Sequence, residues 1–246
     1  MKAPLMLELI KSSIDAHGGL ERWEQVRRIS ATLTPGGLAL QLRGQEAFAK
    51  NSLRVTIDTR KQRTVFDPFL ARGHIGIFEP YRTAVETSEG AVLDELQNPR
   101  DSFVPEAPWS APQLAYFVGY AMWTYLTLPF SLVRDGIHRE EIGFHNEGGE
   151  SWRAVKVIFP RSYVTHSSEQ VLYFDDKGLI RRQDYSVDVA AGSVAAHYLY
   201  DHQEFDGIIF PTRRRIYPRG PDQLPNRDVV IMSADLTGFE LSGVAL

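Results

Sequence analysis

The chain contains no cysteine. Without thiols it cannot form disulfides, thiolate zinc sites, a cysteine nucleophile or a cysteine-linked lipid anchor. Three motifs are also missing: the glycine-rich GxxxxGK[ST] and GxGxxG loops that cradle nucleotide phosphates, and the GxSxG turn of serine hydrolases. The sequence therefore indicates no nucleotide cofactor and no nucleophilic serine of that type.

An excess of positive charge is missing as well. The 246 residues include 27 Lys and Arg against 31 Asp and Glu, which gives a net charge of -4. Because nucleic-acid-binding proteins are normally basic, we expect no nucleic-acid partner. The N-terminus lacks the uninterrupted apolar segment of a signal peptide, since Glu8 and Lys11 fall within it. On this basis we expect a cytoplasmic protein.

What the chain does have is a regular alternation of side chains along predicted strands. In residues 171–217, runs of β-branched and aromatic residues are separated by the turn sequences DDKG, AAG and DG, which is typical of consecutive antiparallel hairpins. A period of two places alternate residues on one face of a strand. One such set is Val194, Ala196, Tyr198 and Tyr200, and the next is Ile208, Phe210, Thr212, Arg214 and Ile216.

The same alternation divides the rest of the chain. Residues 1–27 read as N-terminal helices, with Leu5, Leu9, Ile10 and Ile14 on one face. Residues 28–95 read as a first meander of about six strands, in which Leu38, Leu40 and Leu42 form one alternating run. Residues 137–242 read as a second meander of similar size.

Between the two meanders, residues 111–134 carry no charge before Arg134. Ser110 is placed to cap a helix with Pro112 in its first turn, and Pro129 ends it before a second short helix. A segment this apolar either crosses a membrane or is buried on all sides. Pro129 and the aromatic residues favour burial, so we predict a helix that packs into a sheet and no membrane span.

These elements together predict a mainly β protein with a few helices, forming one domain over residues 1–246. We expect a single, strongly curved antiparallel sheet, an open half-barrel of about 11–12 strands. The apolar helices 111–134 would plug its concave face, because a curved sheet and an all-apolar helix each need the other as cover.

Two segments resemble a known family. The opening AHGGLERWEQVRRISATLT, residues 16–34, and the hairpin YLYDHQEFDGIIFPTRRRIY, residues 198–217, are similar to segments of the LolA/LolB-like superfamily of lipoprotein carriers. The resemblance implies an open, curved sheet that holds helices, with a cavity for acyl chains or another apolar ligand. The family offers no catalytic motif to match, so the resemblance assigns no catalytic residue.

The candidate ligand-binding residues are aromatic side chains of the plug and inward-facing residues of the second meander. Arg214 could anchor a ligand carboxylate or phosphate, or could pair with an acidic neighbour on the sheet. The full set is Tyr116, Phe117, Tyr120, Trp123, Tyr198, Phe210 and Arg214. The expected partner is a hydrophobic or lipid-like small molecule.

Other functions stay open at this stage. An enzyme could use His197, Asp201 and His202 inside the same cavity, and an interaction protein could pair through the open edges of the sheet. His138 and His145 superficially suggest a metal site. We expect none, because on a regular strand two residues seven apart point to opposite faces. The sequence does not indicate the oligomeric state.

Overall fold

The computed structural model describes residues 8–246 of the chain. The five helices of this part are α1 (Glu8–Ala16), α2 (Leu20–Gln25), α3 (Leu38–Leu42), α4 (Glu46–Ala49) and α5 (Ala111–Thr127). The strands are β1 (Arg28–Gly36), β2 (Leu53–Asp58), β3 (Arg63–Asp67), β4 (His74–Glu79), β5 (Arg82–Thr87), β6 (Val92–Gln97), β7 (His138–Glu147), β8 (Glu150–Ile158), β9 (Glu169–Phe174), β10 (Ile180–Val187), β11 (Ser193–Phe205), β12 (Ile208–Pro218) and β13 (Met232–Ser242). Short 3-10 helices lie at Pro99–Ser102, Phe130–Val133 and Asp188–Ala190.

All thirteen strands form one antiparallel sheet, in the order β6-β5-β4-β3-β2-β1-β13-β12-β11-β10-β9-β8-β7. The two meanders meet where β1 pairs with β13, so the first and last strands of the chain lie at the centre of the sheet. The sheet is open, with β6 and β7 at its two edges. The predicted mainly β, open half-barrel is therefore confirmed, with thirteen strands rather than 11–12.

Helix α5 covers the concave face of the sheet, as predicted. Ser110 caps it by accepting from the backbone of Gln113, and the Gln113 side chain accepts from the Ser110 backbone in return. The helix packs mainly over β3, β4 and β5. It approaches β4 closely at Gly119, where an added Cβ would lie 2.2 Å from Phe78 Cβ. None of the helices formed by residues 8–246 is long and apolar enough to cross a membrane.

The N-terminal helices pack their apolar residues into the core. Leu9, Ile10 and Ile14 of α1 are buried, as their spacing predicts, while Leu5 lies outside the described residues. In α2, the ring of Trp23 stacks at 4.3 Å on that of Phe130, which follows α5. The helices therefore extend the apolar core that α5 begins.

The run of Leu38, Leu40 and Leu42 forms helix α3, so the predicted strand is wrong. Five residues are too few to separate a period of two from a single helical turn, on which positions i and i+4 share a face. Here Leu38 and Leu42 share the exposed face and Leu40 is fully buried. The insertion of α3 and α4 between β1 and β2 proves important for the site.

The strand register decides which side chains face inward. His197 pairs with Ile216 and Leu199 with Arg214, and these four are buried on the inner face. Tyr198 pairs with Arg215 on the outer face.

In β7, a bulge between Glu141 and Gly143 shifts the register by one residue. His138 and His145 consequently point to the same face, and the prediction of opposite faces is wrong because it assumed a regular strand.

Candidate functional site

An apolar cavity of about 200 Å³ lies between α5, the α3–α4 insertion and the inner face of β10–β13. It exceeds the engineered cavity of about 150 Å³ that holds benzene in another protein. Most of its wall is aliphatic or aromatic. The principal lining residues are Leu33, Leu38, Leu42, Phe48, Trp109, Phe117, Val118, Ala121, Met122, Tyr125, His166, Tyr185, Val187, Ile216, Ile231, Met232 and Ala234.

Helix α3 forms one lip of the cavity. Leu38 and Leu42 line the opening and are 40% and 66% exposed to solvent. Two backbone hydrogen bonds fix the helix to the segment that precedes β13: Leu38 donates to Val230 O at 3.1 Å and Ala39 to Ile231 O at 2.9 Å. Gly37 permits this approach, since it has a φ of +112° and any Cβ would lie 2.4 Å from Ile231 O. The opening thus carries exposed leucines on a short helix.

The inner end of the cavity is polar. The Tyr125 hydroxyl lies 2.9 Å from His166 Nε2 and 3.0 Å from the Tyr185 hydroxyl. The His166 ring stacks on the Tyr185 ring with a centroid distance of 4.1 Å. His166 Nδ1 is buried and has no hydrogen-bond partner within residues 8–246. We call Tyr125, His166 and Tyr185 the polar triad.

The polar triad is uncharged at neutral pH. Burial lowers the pKa of His166 to about 3, with a smaller contribution from Arg100, and burial raises the pKa of Tyr125 to about 12. The pKa of Tyr185 is also raised well above its usual value, chiefly by burial. The triad therefore acts through neutral hydrogen bonds.

Arg214 lies beside the polar triad without lining the cavity. Its guanidinium carbon is 4.7 Å from the centroid of the Tyr125 ring, and its Nη2 donates to Tyr125 O at 2.8 Å. Its Nη1 is 3.4 Å from His197 Nε2. Burial lowers the pKa of Arg214 to about 10, so it still carries its charge at pH 7.

The outer face of β10 and β11 carries a different cluster. Arg182 forms two hydrogen bonds to the Asp184 carboxylate, at 2.7 and 2.8 Å, and one to Glu147 at 2.9 Å. Burial opposes ionisation of Glu147, but hydrogen bonds from Tyr198 and Arg227 lower its pKa to about 2. We call this group, with Tyr173 and Tyr198, the outer cluster.

The structure brings only part of the predicted ligand-binding set to the cavity. Phe117 lines it, and Arg214 lies beside its polar end. Tyr116 and Tyr120 pack against Phe78 of β4. The remaining three are elsewhere: Trp123 donates to Asp58 O at 2.7 Å, Phe210 stacks on Phe239, and Tyr198 belongs to the outer cluster.

Three further residues of the site were not in the predicted set: Tyr125, His166 and Tyr185. A signal existed for Tyr125, which follows Phe117 and Ala121 at intervals of four on one face of α5. The position of Tyr185 along β10 places its side chain on the inner face, and its partner in β9 is the buried Gln170. His166 lies in the segment between β8 and β9, where no periodicity marks it.

The residues of the enzymatic alternative do not converge. His197 is buried on the inner face, but Asp201 is on the surface, where it accepts from Arg213 at 2.7 Å. His202 lies 3.1 Å from Ile180 O. Across residues 8–246, no group of three or more His, Cys, Asp and Glu side chains is arranged to hold a metal ion.

Two other hollows differ in character from the apolar cavity. A groove of about 490 Å³ is larger, but half of its lining residues are charged, among them Lys61, Arg63, Glu79 and Arg82. Arg63 and Arg82 there form ion pairs with glutamates. A hollow of about 160 Å³ lies between α2 and the end of α5. Neither combines an apolar wall with a polar end, which is the usual form of a small-molecule site.

Comparison with solved structures identifies the fold. A DUF1329 family protein from Desulfovibrio piger is 11% identical, aligns over 95% of this chain and 91% of that chain, and has a TM-score of 0.52. A proposed outer membrane lipoprotein-sorting protein domain from Vibrio parahaemolyticus is 9% identical, over 90% of this chain and 89% of that one, with a TM-score of 0.50. The chain has the LolA-like fold.

A LolA superfamily protein from Nitrosomonas europaea is also similar, with 10% identity over 90% of this chain and 91% of that chain and a TM-score of 0.48. No family model and no curated protein matches the sequence. The likeness to the two structures with TM-scores of 0.52 and 0.50 confirms, for the fold alone, the resemblance drawn from residues 16–34 and 198–217. At these identities the likeness carries neither a ligand nor an activity.

Proposed function

We propose that the protein binds a hydrophobic, lipid-like small molecule in the apolar cavity, with no chemical transformation of it. The observation that carries this proposal is the combination of an aliphatic and aromatic wall with one compact polar end. Binding sites for small molecules commonly have this composition, because the wall supplies affinity and the few polar groups supply orientation.

The opening supports the same proposal. Leu38 and Leu42 are exposed beside the cavity, where an apolar tail leaving the interior would cover them. Each leucine would lose contact with water on binding, and burial of apolar surface is favourable at roughly 25 cal/mol per Å². The exposed leucines thus acquire a role that the ligand-free fold does not give them.

A fluorescent fatty-acid analogue whose emission rises in apolar surroundings tests the proposal. We expect saturable binding that unlabelled decanoate displaces. Ala121→Phe should abolish binding, because Ala121 lies in the cavity wall and a phenyl group would fill the space. Circular dichroism and the melting temperature show whether this variant is folded.

Two leucine variants provide a matched control. Leu42→Ser, at the opening, should weaken binding by about tenfold, and Leu93→Ser, on the edge strand β6, should leave it unchanged. Both leucines are at least half exposed, so the two changes remove similar surface. Absence of probe binding, or equal binding by a folded Ala121→Phe protein, would contradict the proposal.

A further inference from the structure

Arg214 is a buried cation without a counterion in the part of the chain that the structure describes. Its side chain is 1% exposed, and it takes part in no ion pair with any acidic residue between Glu8 and Leu246. Its Nε atom is buried without a hydrogen-bond partner in the same range. Burying an unpaired charge costs several kcal/mol, so a fold rarely keeps one without a use for it.

The groups around Arg214 cannot neutralise it. His197 and His17 are neutral at pH 7, because burial lowers the pKa of His17 to about 4 and that of His197 well below its usual value. The positive charge of Arg214 lowers both pKa values further. Tyr125 and Tyr185 keep their protons for the reason given above. The interior beside the polar triad therefore carries net positive charge.

This charge lies next to the cavity. Arg214 pairs directly with Ala234 across β12 and β13, and Ala234 and Ile216 both line the cavity. The Tyr125 ring, 4.7 Å from the guanidinium, faces the cavity as well. Surroundings this apolar screen charge much less than water does, so the field of Arg214 reaches the polar triad.

The polar triad also has a hydrogen-bond donor to spare. Neutral His166, Tyr125 and Tyr185 together carry three N–H or O–H hydrogens on their polar atoms, and the two hydrogen bonds among them use two. One donor is left over in either tautomer of His166. A group that only accepts hydrogen bonds would satisfy it.

We infer that the ligand is an amphipathic carboxylic acid, bound with its carboxylate at the polar triad and its apolar tail toward α3. A carboxylate accepts the spare hydrogen bond and supplies the negative charge that Arg214 lacks. It carries one charge, which matches one buried cation. This inference rests on the proposed function and adds the class of ligand to it.

Displacement of the fluorescent probe by three decyl compounds tests the inference at pH 7.5. Decanoate, methyl decanoate and decanol share one tail, while only the first is an anion. We expect decanoate to bind with a Kd about tenfold lower than either neutral compound, the advantage typical of a charge-assisted hydrogen bond. Equal Kd values for the three would overturn the inference and leave the proposed function intact.

Variants locate the effect. Arg214→Met should remove the preference for decanoate and leave the Kd of decanol unchanged. Tyr185→Phe should weaken decanoate binding, and Tyr163→Phe, which alters a buried tyrosine outside the cavity wall, should not. A preference that persists in folded Arg214→Met protein overturns the inference. If Arg214→Met does not fold, the Tyr185 and Tyr163 pair decides in its place.

A failure of the proposed function would look different. In that case none of the three decyl compounds would displace the probe from the wild type, or Ala121→Phe would bind them equally well. The inference fails on its own when the neutral compounds bind at the cavity as tightly as the acid does.

Discussion

Two arginines on neighbouring parts of one sheet show how differently a protein can bury the same side chain. Arg182 on the outer face and Arg214 on the inner face are 0% and 1% exposed. Arg182 donates to Asp184, Glu147, Tyr198 and Gln223 O. Arg214 has one backbone carbonyl and one long contact to a histidine.

The difference separates a structural role from a binding role. The donors of Arg182 are occupied by acceptors of its own chain, two of them carboxylates, so Arg182 has no donor left for a ligand. Within residues 8–246, Arg214 has an unpartnered Nε and no carboxylate partner, and it lies beside a cavity. Equal burial therefore says little about function until the partners of the charge are counted.

The largest effect on stability should come from replacing Arg182, whose donors all have acceptors. Arg182→Met removes the arginine that binds both Asp184 and Glu147, and leaves Asp184 with only one arginine contact, the longer one to Arg219 at 3.5 Å, and Glu147 with the contact to Arg227 at 2.8 Å. We expect a loss of about 3 kcal/mol in the free energy of unfolding. Urea denaturation measures it. The double variant Arg182→Met with Asp184→Leu should recover part of the loss, because it also removes the Asp184 carboxylate that has lost its two hydrogen bonds from Arg182. A loss below about 1 kcal/mol in the single variant would show that the outer cluster is not a structural ion pair.

Acid should lower the free energy of unfolding through the two faces in separate pH ranges. His166 has a folded pKa of about 3, below its unfolded value, so the unfolded state takes up more protons and stability falls as the pH drops below about 6.5. At pH 5 this one histidine should cost about 2 kcal/mol. Glu147, with a folded pKa of about 2, adds its loss only below about pH 4.5.

A histidine variant tests the pH range attributed to His166. His166→Phe should make the decline in unfolding free energy between pH 6.5 and 5 smaller by about 2 kcal/mol, while the decline that comes from buried His17, His197 and His202 remains. His138→Gln, at an exposed position, should leave the decline unchanged. Urea melts at several pH values provide the measurement. A decline that is unchanged in His166→Phe would mean that His166 is protonated in the folded protein, against the burial argument.

The smallest effect on stability should come from the inner arginine. Arg214→Met removes a buried charge that no acidic side chain of the described residues neutralises, so we expect a free energy of unfolding within about 1 kcal/mol of the wild type, or higher. The identical substitution at Arg182 is the control. If Arg214→Met proved as destabilising as Arg182→Met, Arg214 would have a structural partner and the contrast between the faces would disappear.

Much of the fold was predictable because it rests on periodic signals. Alternation along β11 and β12 placed Phe210 and Arg214 together on one face, and the register confirms it. Ser110, Pro112 and the absence of charge predicted α5. The misassigned element, α3, is five residues long, and one bulge beside Gly143 reversed the prediction for His138 and His145.

The site was less predictable than the fold. The sequence does not show which face of a strand or helix meets the cavity, so Tyr198 of β11 and Trp123 of α5 could not be separated from residues at the cavity. His166 comes from an irregular segment, and its approach to Tyr125 depends on the path of that segment through space. The cytoplasmic location and the pairing of the open edges stay predictions.

The most direct test of the contrast between the faces is a crystal structure with 10-bromodecanoate, in which anomalous scattering locates the bromine at the end of the tail. We predict a bromine peak at the cavity opening beside Leu38 and Leu42, with the carboxylate within hydrogen-bond distance of Tyr185 or His166. A bromine peak at the polar triad, or a ligand bound at the outer cluster beside Arg182, would contradict the account.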